Sequence, residues 1–321
     1  MCGACSSQTL VATADNQRGR DIIAVQRCGR RNAIRTRHRH DYGVGMTQVA
    51  LVTGTSSGMG MYAAVELARR GVRVVATMRD TGRSGRLRDA AADAGVELDI
   101  RALDVVDYTA AARLVAEVVS DHGAIDVLVN NAGQGCVATA EQLSMSDIQA
   151  QLDVNYLAPV NLTKLVLPGM RERRSGSILT VTSVGGVVGQ PFADAYCGAK
   201  FAVEGFMQSL AVVAENFNVH VAVIEPAAVA SDFVSNAERP EGADAYGPLL
   251  DAYLSRTAGA FANAQTAQSA ALAIADAAMA ESFRFRWQSS DAATTFAGIS
   301  LADLDGERVL GVTRTWLTAE Q

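Results

Sequence analysis

Apolar positions along this chain fall into two alternating kinds of run. Short continuous runs rich in β-branched residues occur at 49–53, 72–77, 96–103, 125–129, 176–182 and 219–225. Each has the length and composition of a strand buried on both faces. Longer stretches with apolar residues three and four apart lie at 61–70, 108–122, 146–173, 194–217 and 266–280. These predict helices. Strands alternating with helices at this pace predict βαβ units and an α/β fold, a doubly wound parallel sheet of about seven strands flanked by helices. Clean alternation at 283–287 predicts a seventh, edge strand. Residues 232–262, with Pro240, Gly242, Gly247 and Pro248, read as loop and weak helix. A substrate lid, about 227–262, is expected to include them.

Composition bounds the organisation. The 321 residues are 49% apolar and 19% charged, enough for one large core, expected over 46–287, with a C-terminal tail at 288–321. No apolar run reaches transmembrane length, and the net charge of −6 argues against nucleic acid as a partner. Residues 1–45 differ from the rest: they carry eight arginines against three acids and have no sustained period. They read as a disordered extension, or as sequence upstream of a start at Met46. Cys2, Cys5, Cys28, His38 and His40 lack the paired spacing of a zinc site, so no metal is expected. The five scattered cysteines suit a reducing compartment, and a cytoplasmic location is expected.

Chemistry concentrates at strand ends. The first strand runs into Thr53-Gly-Thr-Ser-Ser-Gly-Met-Gly60 and then a helix. Glycines at such a turn let backbone approach a pyrophosphate, and the helix N-terminus supplies free N–H groups for it. The second strand ends at Met78-Arg79, where a ribose is met. An arginine rather than an acid there favours a 2′-phosphate, hence NADP(H), with NAD(H) second. The fourth strand runs into Asn130-Asn-Ala-Gly133, whose amides can tie neighbouring strand tips together. Ser183 follows the fifth strand, and Tyr196 and Lys200 lie four apart at the start of the next helix, on one face. A charge about 4 Å from the phenol is worth roughly 4 kcal/mol at an effective dielectric near 20. Lys200 is therefore expected to bring Tyr196 down toward neutrality, as a general acid and base requires. Only two of the 28 basic side chains are lysines, Lys164 and Lys200, which suggests that a compact, tunable ammonium is needed at 200.

Together these motifs resemble the classical short-chain dehydrogenase/reductase family, over about 46 to 287, with a look closest to NADP-linked hydroxysteroid and retinol dehydrogenases. The resemblance implies a Rossmann-type fold and a catalytic set of Asn155, Ser183, Tyr196 and Lys200. It implies cofactor contacts at Gly54, Ser56, Ser57, Gly58, Met59, Gly60, Arg79, Asp104, Val105, Asn131, Ala132, Gly133, Tyr196, Lys200, Pro226, Val229 and Ser231. Hydride transfer would interconvert a hydrophobic alcohol and its ketone or aldehyde, in a pocket walled by Val187, Val188, Phe192, Phe233 and Phe261. Cys136 and Cys197 read as core-compatible neighbours, and His220 as structural without a visible partner. Ala227 replaces the family's glycine after strand six, with altered lid opening expected. Homodimers or homotetramers through the long helices are implied by the resemblance alone. Two other readings stand beside this one: a non-catalytic NADP-sensing scaffold, and a sugar-nucleotide epimerase or dehydratase. The four-then-two glycine spacing and the lack of a large C-terminal substrate domain count against the epimerase.

Overall fold

The computed structural model describes residues 47–233, 236–237, 244–262, 264–302, 312 and 315. The readings given above for residues 1–46, Pro240 and Gly242 lie outside them, as does most of the tail beyond residue 302.

In chain order the strands are β1 (Val49–Thr53), β2 (Arg73–Met78), β3 (Asp99–Ala102), β4 (Val127–Asn130), β5 (Gly176–Val181), β6 (Val219–Glu225), β7 (Val229–Ala230), β8 (Gln265–Thr266) and β9 (Arg286–Gln288). The helices are α1 (Gly58–Arg69), α2 (Gly85–Asp93), α3 (Tyr108–His122), α4 (Met145–Leu152), α5 (Ala158–Arg173), α6 (Asp194–Glu215), α7 (Gly247–Ala262), α8 (Ala267–Ala278) and α9 (Asp291–Leu301). Among the described residues the main sheet is parallel and seven-stranded, in the order β3-β2-β1-β4-β5-β6-β9. This is the doubly wound Rossmann-type architecture that the alternation predicts.

The strands are apolar throughout because both faces are covered. Ala50 and Val52 of β1 point into a core shared with α1, α2 and α8, while Val49 and Leu51 point into one shared with α3, α5 and α6. The order reverses between β1 and β4, so their carboxyl ends open a crevice at the switch point, where ligands of such sheets bind.

Several expectations change. The stretch 146–173 is not one helix: α4 and α5 are joined by a π-helical turn at Asp153–Leu157. Pro159 has no N–H to give to the carbonyl of Asn155 four residues back, and its ring crowds that carbonyl, so the helix widens there. Instead of weak helix, α7 runs for 16 residues. The edge strand lies at Arg286–Gln288, a few residues later than the alternation suggests, paired in parallel with β6. The tail contains α9, capped by Ser290, whose Phe296 and Ala297 pack on Val187 and Val188. Those two valines therefore pack against α9. His220 does have a neighbour, the Phe283 ring at 3.7 Å.

Candidate active site

Every predicted site residue within the described residues lies at or beyond the carboxyl ends of the strands. The tips of β1 and β4 are laced together. Asn131 Nδ2 donates to the carbonyls of Thr53 and Gly54 at 2.9 and 3.0 Å, and Thr53 Oγ1 accepts from the backbone of Asn131 and Ala132. Gly54 has φ +69°, and a Cβ there would lie 2.8 Å from Ala132 Cα, so only glycine lets these tips approach. At the start of α1, Ser57 is extended, makes no side-chain capping bond, and no acid occupies the first turn. The helix N–H groups and dipole are thus left facing the crevice, together with Ser56, Gly58, Met59 and Gly60. Ser231 faces this turn from the far side, its Cβ 3.6 Å from where a Cβ on Gly58 would be. Val229 packs on Met59, and the Pro226 carbonyl accepts from Val184 N.

At the tip of β2, Met78 is buried and Arg79 exposed. The nearby acid, Asp80, is occupied as the cap of a short 3-10 turn, accepting from Gly82 N at 2.8 Å. After β3, Asp104 accepts from Val106 N, and Val105 is buried.

Asn155 and Lys200 flank Gly133, and Ser183 and Tyr196 come together around Gly185. The π-helical turn presents Asn155, fully buried, whose amide donates to the Gln134 carbonyl and to Gln151 Oε1 and accepts from Gln134 N. A Cβ on Gly133 would lie 3.1 Å from Asn155 Oδ1 and 3.6 Å from Lys200 Nζ. The bare glycine therefore keeps a flat approach open between those two groups. Ser183 Oγ accepts from Gly185 N at 2.9 Å, and Ser183 and the Tyr196 ring come together around Gly185. Gly185 makes this pairing possible, since a Cβ there would lie 3.3 Å from both Ser183 Oγ and the Tyr196 ring.

The electrostatics correct one expectation. Lys200 Nζ lies 5.7 Å from the Tyr196 ring centroid and donates to the Val181 carbonyl at 3.0 Å. Although Tyr196 keeps part of its surface exposed, burial of the phenol pushes its pKa up from the ordinary value. The Ser183 hydroxyl opposes that rise, while Cys197 and Tyr253 add to it. Burial likewise brings Lys200 down to about 8, against the influence of Glu204. In the protein alone, desolvation outweighs the attraction that the spacing suggested. Cys197, buried next door, is pushed up to about 11 by burial, as fits a neutral neighbour.

Aromatic rings roof the site. Phe233 lies 5.8 Å from the Tyr196 ring, and Tyr253 of α7 lies 5.6 Å from Phe192. Phe192 is held at φ 57°, a backbone that a bulky residue adopts only under constraint. Ala227 does not share this conformation, so its methyl brings no strain.

Sequence reasoning missed several contributors. Gln151 and the π-helical turn orient Asn155, and Pro159 is the signal that marks them. Buried Thr182, Glu204 and Glu225 and half-buried Arg286 form a cluster that reaches α6 one turn after Lys200. Glu204, four residues after Lys200, was a visible hint, but nothing in the sequence pairs it with Arg286. Among the described residues, no group of three His, Cys, Asp or Glu side chains is placed to hold a metal, and no helix is long and apolar enough to cross a membrane.

A protein-family model described as short chain dehydrogenase matches residues 48–242. Human retinol dehydrogenase 8 is 41% identical over 204 residues, covering 60% of this chain and 65% of that one. Mouse 17-beta-hydroxysteroid dehydrogenase type 1 is 42% identical over 191 residues, 58% of this chain and 55% of that one. A metagenomic short-chain oxidoreductase solved in complex with NADP superposes with a TM-score of 0.61 at 27% identity, covering 76% of this chain and 97% of that one. With the laced strand tips, the open helix start and the converging side chains in place, the chain belongs to the short-chain dehydrogenase family. It spans less than two thirds of the length of the two dehydrogenases named here.

Proposed function

We propose that this chain is an NADP(H)-dependent oxidoreductase that interconverts a hydrophobic alcohol and its ketone or aldehyde. The observation that carries the reading is that Asn155 and Lys200 flank the bare face of Gly133 while Ser183 and Tyr196 come together around Gly185. The residues present fit the cofactor: a Cβ-free cradle at Gly133, an uncapped α1 start for phosphates, and a β2 tip with an exposed Arg79 and an acid already engaged. Ser56 to Gly60 would hold the pyrophosphate and Arg79 a 2′-phosphate. Asp104 and Val105 would border the adenosine, and Asn131 to Gly133 with Pro226, Val229 and Ser231 the nicotinamide half.

A bound nicotinamide supplies the hydride. In the reducing direction Tyr196 gives its proton to the substrate oxygen as the carbonyl π pair moves onto that oxygen, and Ser183 holds the same atom. The raised phenol keeps Tyr196 protonated at rest, ready to donate. Lys200 stabilises the tyrosinate left behind and holds the nicotinamide ribose, and Asn155 positions the water through which Lys200 regains a proton from solvent. Phe192, Phe233 and Tyr253 support an apolar substrate, as do the retinol and steroid dehydrogenases among the relatives. Self-association through α6 belongs to the same reading, since Phe201 and Val212, three turns apart, are exposed on one face.

The test is absorbance at 340 nm with NADPH and with NADH against hydrophobic ketones and aldehydes, with Tyr196→Phe alongside. Turnover should prefer NADPH and fall by about 10²–10⁴-fold in the variant. Cofactor binding without turnover, unchanged by the substitution, would favour a non-catalytic NADP-sensing scaffold.

A further inference from the structure

Directly below the site lies a charged cluster that the mechanism above does not use. Glu204, 3% exposed, and Glu225, fully buried, both contact the guanidinium of Arg286. Glu204 Oε2 accepts from Arg286 at 2.6 Å, Glu204 Oε1 accepts from Thr182, and Glu225 Oε2 accepts from Gln288. Two buried carboxylates thus share one half-buried guanidinium, and buried Lys200 stands one helical turn from Glu204. The connection runs through β5 and α6. The carbonyl of Val181 takes the Lys200 ammonium, the hydroxyl of the next residue, Thr182, holds Glu204, and Glu204 stands one helical turn after Lys200. Gly186 is bare where Glu204 passes, as a Cβ there would lie 2.9 Å from Glu204 Cγ.

We propose that Glu204 is a positioning residue for Lys200: clamped by Thr182 and Arg286, it is the counter-charge that keeps the lysine an ammonium ion. This rests on the catalytic reading of Lys200 and makes β9, beyond the residues that the family model matches, a determinant of the site's charge. The clamp matters because burial pushes Glu204 up to about 7, with the Thr182 and Arg286 contacts holding it down and Glu225 adding to the rise. Without them Glu204 would take up a proton and the charge beside Lys200 would vanish. On its own helix Lys200 faces Tyr196 and Glu204. Cys197 and Tyr253 act on Tyr196, and Glu225 from β6 and Arg286 from β9 act on Glu204. From β5 it meets the Val181 carbonyl, and across the bare face of Gly133 it looks toward the Asn155 amide, while Asp153 binds Gln149 on the outer side.

The two-lysine composition makes the test direct. With ¹³C-labelled lysine the protein gives two side-chain Cε resonances, from buried Lys200 and exposed Lys164, assigned by Lys164→Arg. Their pH titrations are compared in wild type and Glu204→Gln. Loss of an opposite charge at close range should move the Lys200 midpoint down from about 8 by about one pH unit, leaving tenfold less ammonium above it. Thr182→Val, which replaces a hydroxyl by a methyl, should move it the same way by less, and serves if Glu204→Gln fails to fold. A Lys200 midpoint unmoved in the folded variants would overturn the proposal and leave the cluster as a strut between β9 and α6. The readout needs no turnover, so failure of the catalytic reading would appear separately, as absent hydride transfer in wild type.

Discussion

A buried ammonium at the centre of the site should cost the fold stability, and Lys200→Met should recover some of it while abolishing turnover. Lys200 is 4% exposed, and its pKa falls from 10.5 to about 8. At about 1.4 kcal/mol per unit, that difference amounts to about 3 kcal/mol at pH 7. The sign follows from proton counting. Between pH 8 and 10.5 the unfolded chain binds the lysine proton and the folded chain does not, so this contribution to stability rises with pH across that window. Methionine resembles the neutral lysine in length and charge. It gives up the bond to the Val181 carbonyl, worth about 1 kcal/mol. The variant should therefore be about 2 kcal/mol more stable than wild type at pH 7, with the advantage gone by pH 10. Cys197, Tyr196 and Tyr253 titrate in the opposite sense at the alkaline end. They are common to both proteins and largely cancel in the difference. Urea unfolding of both proteins at unit pH steps from 7 to 10 measures it. A variant less stable at pH 7 by an amount that pH does not change would refute the reasoning, because Lys200 would then be an ordinary packing residue.

Gly185→Ala should depress turnover at least tenfold with little effect on cofactor affinity, since its methyl presses on both Ser183 Oγ and the Tyr196 ring; steady-state kinetics and NADPH fluorescence titration separate the two. Asn131→Ala removes two side-chain bonds that join the tips of β1 and β4 and should lower unfolding stability by about 1–3 kcal/mol. A denaturation midpoint equal to wild type would show that the lacing is carried by Thr53 alone.

The sequence by itself determined the sheet and the strand ends at which the candidate site residues gather. Continuous apolar runs can be buried only between two helical layers, which dictated a parallel, doubly wound sheet, and the strand-end motifs stood where such a sheet gathers them. The spacing of Tyr196 and Lys200 put both on one helical face. Local rules did not reach everything. Pro159 was in plain view, but periodicity read across it, because a single widened turn leaves the apolar pattern on either side almost intact. The α9 helix, which buries only Ala293 and Ala297, carries too weak a pattern to stand out, and its partners Val187 and Val188 lie about a hundred residues earlier. The charge state of the site was decided only by tertiary structure. Spacing set Lys200 near Tyr196, but burial set the balance between desolvation and attraction, and burial depends on neighbours from every layer. Arg286 reaches Glu204 across 82 positions in sequence. No local pattern encodes that contact, and it arises only when β9 adds to the sheet beside β6.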